Sequence, residues 1–213
     1  MSKALSFLLL ALSLLSGSAL ADANDWTGVY AGAQFGQGSS SFDYSYHGAA
    51  AVSFDSDGLI GGLTVGYNWQ KENFVLGVEG DYSLSEVGSS TLVTPAPCYI
   101  QGCNGRIKST ASGRLRIGYA VQSFLPFLTV GAAFADIKGS ADLGACGSAY
   151  CGFSSSRWGQ TYGAGVEWRI NQKWSAKAEY LYSHFDAPAF SSSNVTVSSI
   201  NLNVARLGVN YHF

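Results

Sequence analysis

From Trp26 to its last residue the chain alternates between apolar and small or polar positions. Leu59, Gly61, Leu63, Val65, Tyr67 and Trp69 share one parity; Gly62, Thr64, Gly66 and Asn68 take the other. Phe74, Leu76, Val78, Gly80, Tyr82 and Leu84 alternate with Val75, Gly77, Glu79, Asp81 and Ser83. Leu115, Ile117, Tyr119 and Val121 alternate with Ser112, Arg114, Arg116 and Gly118. Trp158, Tyr162, Ala164, Val166 and Trp168 stand against Gly159, Thr161, Gly163, Gly165 and Glu167. Trp174, Ala176, Ala178, Tyr180 and Tyr182 stand against Ser175, Lys177, Glu179 and Ser183. Finally Leu207, Val209, Tyr211 and Phe213 oppose Arg206, Gly208, Asn210 and His212. A period of two puts each set on one side of a strand, whereas helical spacing would scatter it. Two further strands, about 27–38 and 125–137, are less regular. Pro126 fits only at the start of the second, and the outward side of that strand stays open.

The connections alternate as well. Short links are predicted at 70–73, 122–124 and 171–173, and long loops at 39–57, 86–108, 138–157 and 186–198. Short turns at one rim and long loops at the other are the pattern of a transmembrane barrel, with the short turns periplasmic. The predicted fold is all-β, an eight-stranded antiparallel up-and-down transmembrane β-barrel. An even strand count places both termini at the periplasmic rim.

A soluble barrel would turn its apolar parity inward, so the size of the side chains decides the assignment. Eight strands enclose a space just wide enough for side chains. The apolar parity carries Trp69, Phe74, Tyr82, Tyr119, Trp158, Trp168, Trp174, Tyr180 and Tyr182, too many rings for that space. Most lie near strand ends, where a lipid-facing wall carries its aromatic girdles. The Gly-, Ser- and Thr-rich parity is therefore predicted to line the lumen, with Glu79, Asp81, Arg114, Arg116, Glu167, Lys177, Glu179 and Arg206 among it. A lone buried charge costs several kcal/mol, so these groups must pair. Adjacency along the sheet groups Glu79 and Asp81 with Arg114 and Arg116, and Glu167 with Lys177, Glu179 and Arg206. Such a network plugs the lumen; the alternative is a gate whose pairs exchange partners to open a narrow channel.

Composition narrows the class. Aromatic residues make up 14% and charged residues 12%, with 26 glycines and 4 prolines. Such a chain is neither disordered nor built for long helices, and a net charge of −2 implies no nucleic-acid partner. Lys3, the apolar run from Ala4 to Leu15 and Ala19-Leu20-Ala21 read as a signal peptide over 1–21, leaving a barrel domain over 22–213. Cys98-x4-Cys103 and Cys146-x4-Cys151 read as disulfide candidates in an exported chain. Three pairings are possible and spacing does not choose among them; it does not match a zinc motif.

Asp25-Trp26-Thr27-Gly28-Val29-Tyr30-Ala31-Gly32 resembles the opening of the small outer-membrane β-barrel porin family of alphaproteobacteria, to which the 25- and 31-kDa immunogenic outer-membrane proteins belong. Gly113-Arg114-Leu115-Arg116-Ile117-Gly118-Tyr119, Lys177-Ala178-Glu179-Tyr180-Leu181-Tyr182 and Arg206-Leu207-Gly208-Val209-Asn210-Tyr211-His212-Phe213 are similar to the same family. The resemblance implies a Gram-negative outer-membrane location and an architecture like the OmpA barrel. It also implies that Leu207, Val209, Tyr211 and Phe213 form the signal read by the barrel assembly machinery. Loop cysteines depart from the family pattern.

No enzyme is expected. His47 lies near Asp43, Asp55 and Asp57 in a protease-like Asp/His grouping, but loop charges of this kind are ordinarily just solvated. His184-Phe185-Asp186 lacks the His-x-Ser nucleophile of barrel lipid A deacylases. His212 reads as an inward strand residue, and no cofactor or metal motif appears. The resemblance adds haemin as a candidate loop ligand, through Tyr44, Tyr46 and His47; a surface loop with ordinary aromatic content is the simpler reading. The leading functional expectation is a structural, surface-presenting envelope protein in contact with outer-membrane lipid and lipopolysaccharide. The alternatives are a narrow porin for small solutes, or loop-mediated ligand or host-surface binding.

Overall fold

A computed structural model describes the backbone of residues 25–46, 49–93, 98–141, 151–186 and 195–213. The expected signal peptide lies outside the described residues. The strands are β1 (Gly28–Tyr46), β2 (Ala49–Lys71), β3 (Phe74–Ser85), β4 (Gly88–Val93), β5 (Cys98–Tyr119), β6 (Phe124–Ala141), β7 (Cys151–Arg169), β8 (Trp174–Asp186) and β9 (Val195–His212). All pairings are antiparallel, chain neighbours lie side by side except β3 and β4, and β1 closes the sheet on β9. β3 and β4 both pair with β5 and form the lower and upper parts of one stave, so the closed wall has eight.

The register fixes the tilt. Followed across the ladder, Gly32 leads to Thr64, Asp81, Ser112, Ala133, Gly159, Phe185 and Ile200. Ile200 then pairs with Phe42 of β1, ten residues beyond the start. With eight staves this stagger tilts the strands by about 40° and leaves room inside only for side chains.

The lipid-facing parity is the one the alternation predicts. Leu63, Val65, Leu76, Val78, Leu115, Ile117, Val166, Leu207 and Val209 are all exposed. Edge-to-face pairs ring the periplasmic end: Phe74 with Tyr119 at 5.2 Å between centroids, and Trp174 with Tyr211 at 5.1 Å. Phe134 and Trp158 form a similar pair at 5.2 Å toward the other end. From Phe74 to Leu84 along tilted β3, the apolar wall is about 25 Å tall, the thickness such barrels present to lipid. The orientation left open by the sequence is settled on β6. Leu125, Phe127, Thr129, Ala133, Ala135 and Ile137 point inward and buried, while Phe124, Leu128 and Val130 face out.

Two expectations are corrected. Among the described residues, much of the first two long connections is paired strand: β1 runs on to Tyr46 and β2 resumes at Ala49, while β5 begins at Cys98 and pairs there with β4. In β1 the alternation itself runs on, with Phe42, Tyr44 and Tyr46 against Ser41, Asp43 and Ser45, but the density of Ser and Asp in this stretch reads as loop. The two short links between β2 and β3 and between β5 and β6 are tight turns, with Glu72 (φ 56°) and Gln122 (φ 54°) in the left-handed region. At the third, Asn171 Oδ1 accepts hydrogen bonds from the backbone N–H groups of Lys173 and Trp174, each at 2.9 Å.

Candidate functional site

All eight ionisable residues assigned to the lumen are buried inside it or nearly so, on β3, β5, β7, β8 and β9. The second correction concerns how they pair. Strand adjacency accounts for only part of the pairing, because side chains this long also cross a lumen this narrow. Arg114 pairs with Glu79 and Asp81 of the neighbouring β3, the latter at 3.1 Å, and also reaches across to Glu179 of β8 at 3.2 Å. Lys177 of β8 crosses in return to Glu79 at 2.8 Å. Arg206 joins Glu179 at 2.7 Å and Asp81 at 3.0 Å. Those six residues form one cluster. Arg116 is not part of it: its guanidinium meets Glu167 at 2.5 Å and covers the Phe127 ring at 3.9 Å.

Glu167 is further held by Ser175, whose hydroxyl donates at 2.5 Å, and by Asn210, whose amide donates at 2.7 Å. His212 lies 2.9 Å from the Ser175 hydroxyl. Tyr30 links the two clusters. Its hydroxyl donates to Glu79 at 2.7 Å and accepts from Arg116 at 3.4 Å. Gly66 makes the room, since a Cβ there would stand 2.4 Å from the Tyr30 ring. Four carboxylates thus balance four cations, with the charge shared around the barrel rather than along one pair of strands.

Below and above this layer apolar side chains fill much of the lumen, with Ser40, Ser56, Ser85 and Ser109 buried among them on the outer side and Asn68 on the periplasmic side. Toward the periplasm Trp26 enters the mouth and packs with Val75, Ala120 and Leu125, capped by the Arg169 guanidinium 4.2 Å over its ring. Toward the outside Val87, Ile107, Ile137, Phe185, Ile200 and Leu202 fill the section. Sequence reading missed both layers, along with Tyr30, Ser175, Asn210 and the lumenal role of Trp26. Parity was the available signal: Ile60, Ile137, Leu202 and Val204 occupy inward positions although they are apolar.

Other candidates separate from this site. His184 is outward and half-buried on β8, its Nδ1 2.7 Å from the Asn201 amide oxygen, while Phe185 beside it is fully buried in the lumen. His212 faces inward at the periplasmic end, as expected. Tyr44 and Tyr46 lie on the upper part of β1 and pair with Val52 and Ala49, but their side chains, and His47 altogether, lie outside the described residues. Cys98 and Cys103 fall on β5 and Cys151 on β7; the side chains of all four cysteines lie outside the described residues, and with them the disulfide expectation. Leu207, Val209 and Phe213 point to lipid, and Tyr211 stacks edge-on between Trp174 and Phe213.

The family profile described as "Outer membrane protein beta-barrel domain" matches residues 7–213. The chain belongs to this outer-membrane β-barrel family. It is 32% identical over 207 residues to the 31 kDa outer-membrane immunogenic protein of Brucella melitensis biotype 1, covering 90% of this chain and 85% of the relative. It is 28% identical over 194 residues to the 22 kDa outer membrane protein of Rhizobium leguminosarum bv. viciae, covering 90% and 80%. Among solved structures, the outer membrane protease OmpT of Escherichia coli aligns with a TM-score of 0.53 at 9% identity, covering 92% of this chain and 99% of that one. At that identity the likeness is one of fold. The chain is thus an outer-membrane β-barrel protein, as its alternation and the resemblance predicted.

Proposed function

We propose that this protein is a closed structural barrel of the outer membrane, not an enzyme, which stabilises the envelope and presents its outer ribbons at the surface. One observation carries the reading: the charged side chains at the middle of the lumen are shut away from water. Arg114, Glu79, Glu179, Arg116 and Glu167 have no exposed side-chain area. An aqueous path would have to wet them. The apolar side chains on both sides oppose a conducting path, because a permeating ion would have to shed its water to pass them, at a desolvation cost of several kcal/mol. Contact with outer-leaflet lipid and lipopolysaccharide, and delivery by the barrel assembly machinery through Leu207, Val209, Tyr211 and Phe213, belong to the same reading.

The refolded protein in planar bilayers should give no resolved single-channel steps. A steady conductance that follows solute size would replace this reading with a narrow porin. One feature favours that second reading: Arg114 and Arg206 both reach Asp81 and Glu179, so the pairs have partners to exchange. Cells lacking the protein should become more sensitive to detergents, and a non-conducting variant should restore resistance.

A further inference from the structure

Inside the barrel every cation of the central layer meets a carboxylate. On the outer wall above the aromatic band, the rule fails where β5 meets β6. The β5–β6 register sets Arg106 directly opposite Lys138. Like charges directly opposed in an antiparallel pair are destabilising. The ladder then shifts between Ile107 and Ser109, which makes Lys108 the extra residue of a bulge. Bulges re-aim side chains, and this one adds a third cation beside the first two. All three are exposed. The Lys108 ammonium has its pKa lowered, first by contact with Lys138 and then by the charges of Lys138 and Arg106. Among the described residues none of the three forms an ion pair. The nearby carboxylate of Asp136 accepts from Ser109 at 3.2 Å and from Ser156 at 2.5 Å, and its charge offsets the Lys108 shift only in part.

Arg106 and Lys108 border a groove of about 640 Å³, whose lining also includes Glu86, Asp136 and the apolar side chains Phe35, Leu59, Tyr82 and Leu84. The last four are more than half exposed, on the surface that meets hydrocarbon. Positive charge therefore stands at the height of the outer leaflet's headgroups, directly over an apolar trough. A free anion would use the charges and leave the trough idle. A lipid with a phosphorylated sugar headgroup and several acyl chains uses both, and a phosphate's charge relieves the Arg106–Lys138 opposition.

We propose that Arg106, Lys108 and Lys138 bind a phosphate of an outer-leaflet glycolipid whose acyl chains lie against Phe35, Leu59, Tyr82 and Leu84. The proposal rests on the outer-membrane structural reading and gives its lipid contact an address. It is tested on the mature chain folded in phosphatidylcholine vesicles, with and without added bisphosphorylated lipid A, by urea unfolding and by titration. Wild type and the triple variant Arg106→Gln, Lys108→Gln, Lys138→Gln are compared, with Lys71→Gln at the periplasmic rim as control. In phosphatidylcholine alone the triple variant should be as stable as wild type or more so, because a like-charge opposition is gone. Lipid A should raise the unfolding midpoint of wild type and the control, and bind the triple variant at least about tenfold more weakly. Equal stabilisation of wild type and triple variant by lipid A overturns the proposal. So does equal stabilisation by dephosphorylated lipid A, which would remove the phosphate, or by millimolar inorganic phosphate, which would make the site one for a free anion. A conducting barrel would refute the structural function and leave this binding result standing, so the two failures are distinguishable.

Discussion

Arg114 and Leu115 are consecutive on β5, yet one ends among three carboxylates and the other in hydrocarbon. The same backbone step serves two solvents. The wall's outward side is uniform: any apolar side chain of suitable size satisfies it, and neighbours hardly matter. The inward side is particular, because each charge depends on partners that arrive from strands far apart in sequence. Lys177 and Glu79 pair across 98 residues of chain. The lesson is that one face of this barrel is specified by composition and the other by geometry. Substitutions should therefore be costly for different reasons on the two faces.

The largest expected effect is on the inward face. Arg114→Met keeps much of the volume but leaves Glu79, Asp81 and Glu179 sharing Lys177 and Arg206 alone. Removing one partner of a buried ionic group costs about 3–5 kcal/mol. The loss is read as a lowered urea midpoint in lipid vesicles. Pairing it with Glu79→Gln restores the balance of charge, so the double variant should lose less than the single one. Equal or greater loss in the double variant would show that packing, not charge balance, holds the middle layer.

Next comes the outward face at the neighbouring position. Leu115→Arg places a cation at mid-wall in lipid, where it costs about 2–4 kcal/mol. Here no second substitution in the lumen should compensate, because the penalty is paid to the membrane and not to a partner. Rescue by a lumenal carboxylate substitution would break the division between faces.

How far the sequence could be read follows the same division. The outward parity of β2, β3, β5, β7, β8 and β9 was legible, since lipid demands only apolarity at every second residue. β6 was ambiguous because both parities are apolar there: Phe127 and Ile137 fill the lumen while Leu128 and Val130 face lipid. All eight lumenal charges were legible from parity, but their grouping only in part: Arg114 with Glu79 and Asp81, and Arg206 with Glu179, follow strand adjacency. Arg116 instead belongs with Glu167, one strand beyond its neighbour, and Lys177 with Glu79 across the barrel. Cross-lumen reach depends on the stagger of the strands, which alternation does not encode. Tyr30, Ser175 and Asn210 went unnoticed because a hydroxyl or amide among small inward residues looks like filler until a carboxylate is seen against it. The upper ribbons escaped for another reason: Ser, Gly and Asp are dense there, and the alternation of Phe42, Tyr44 and Tyr46 reads as loop.

A milder test falls on the girdle, where the outward face is least uniform. Phe74 and Tyr119 meet edge to face, and such pairs are worth about 0.5–1.5 kcal/mol beyond the area they cover. Phe74→Leu should lower the urea midpoint by that amount, and in the Tyr119→Leu background it should cost nearly nothing more. Full additivity of the two would reduce the girdle to plain apolar surface.

The smallest effect lies on neither face. Glu72 holds a left-handed backbone conformation in the turn between β2 and β3, a region that costs an ordinary residue about 1–2 kcal/mol and asparagine less. Its side chain is exposed, and the Gln70 amide donates to its backbone carbonyl at 2.7 Å, a contact that any residue there keeps. Glu72→Asn should therefore raise the unfolding midpoint slightly, by roughly 0.5 kcal/mol, without altering the response to Arg114→Met or Leu115→Arg. The gain isolates the rim from both solvents. A shift as large as that of Leu115→Arg would mean instead that closing the periplasmic hairpin, rather than matching each face to its surroundings, limits the stability of the barrel.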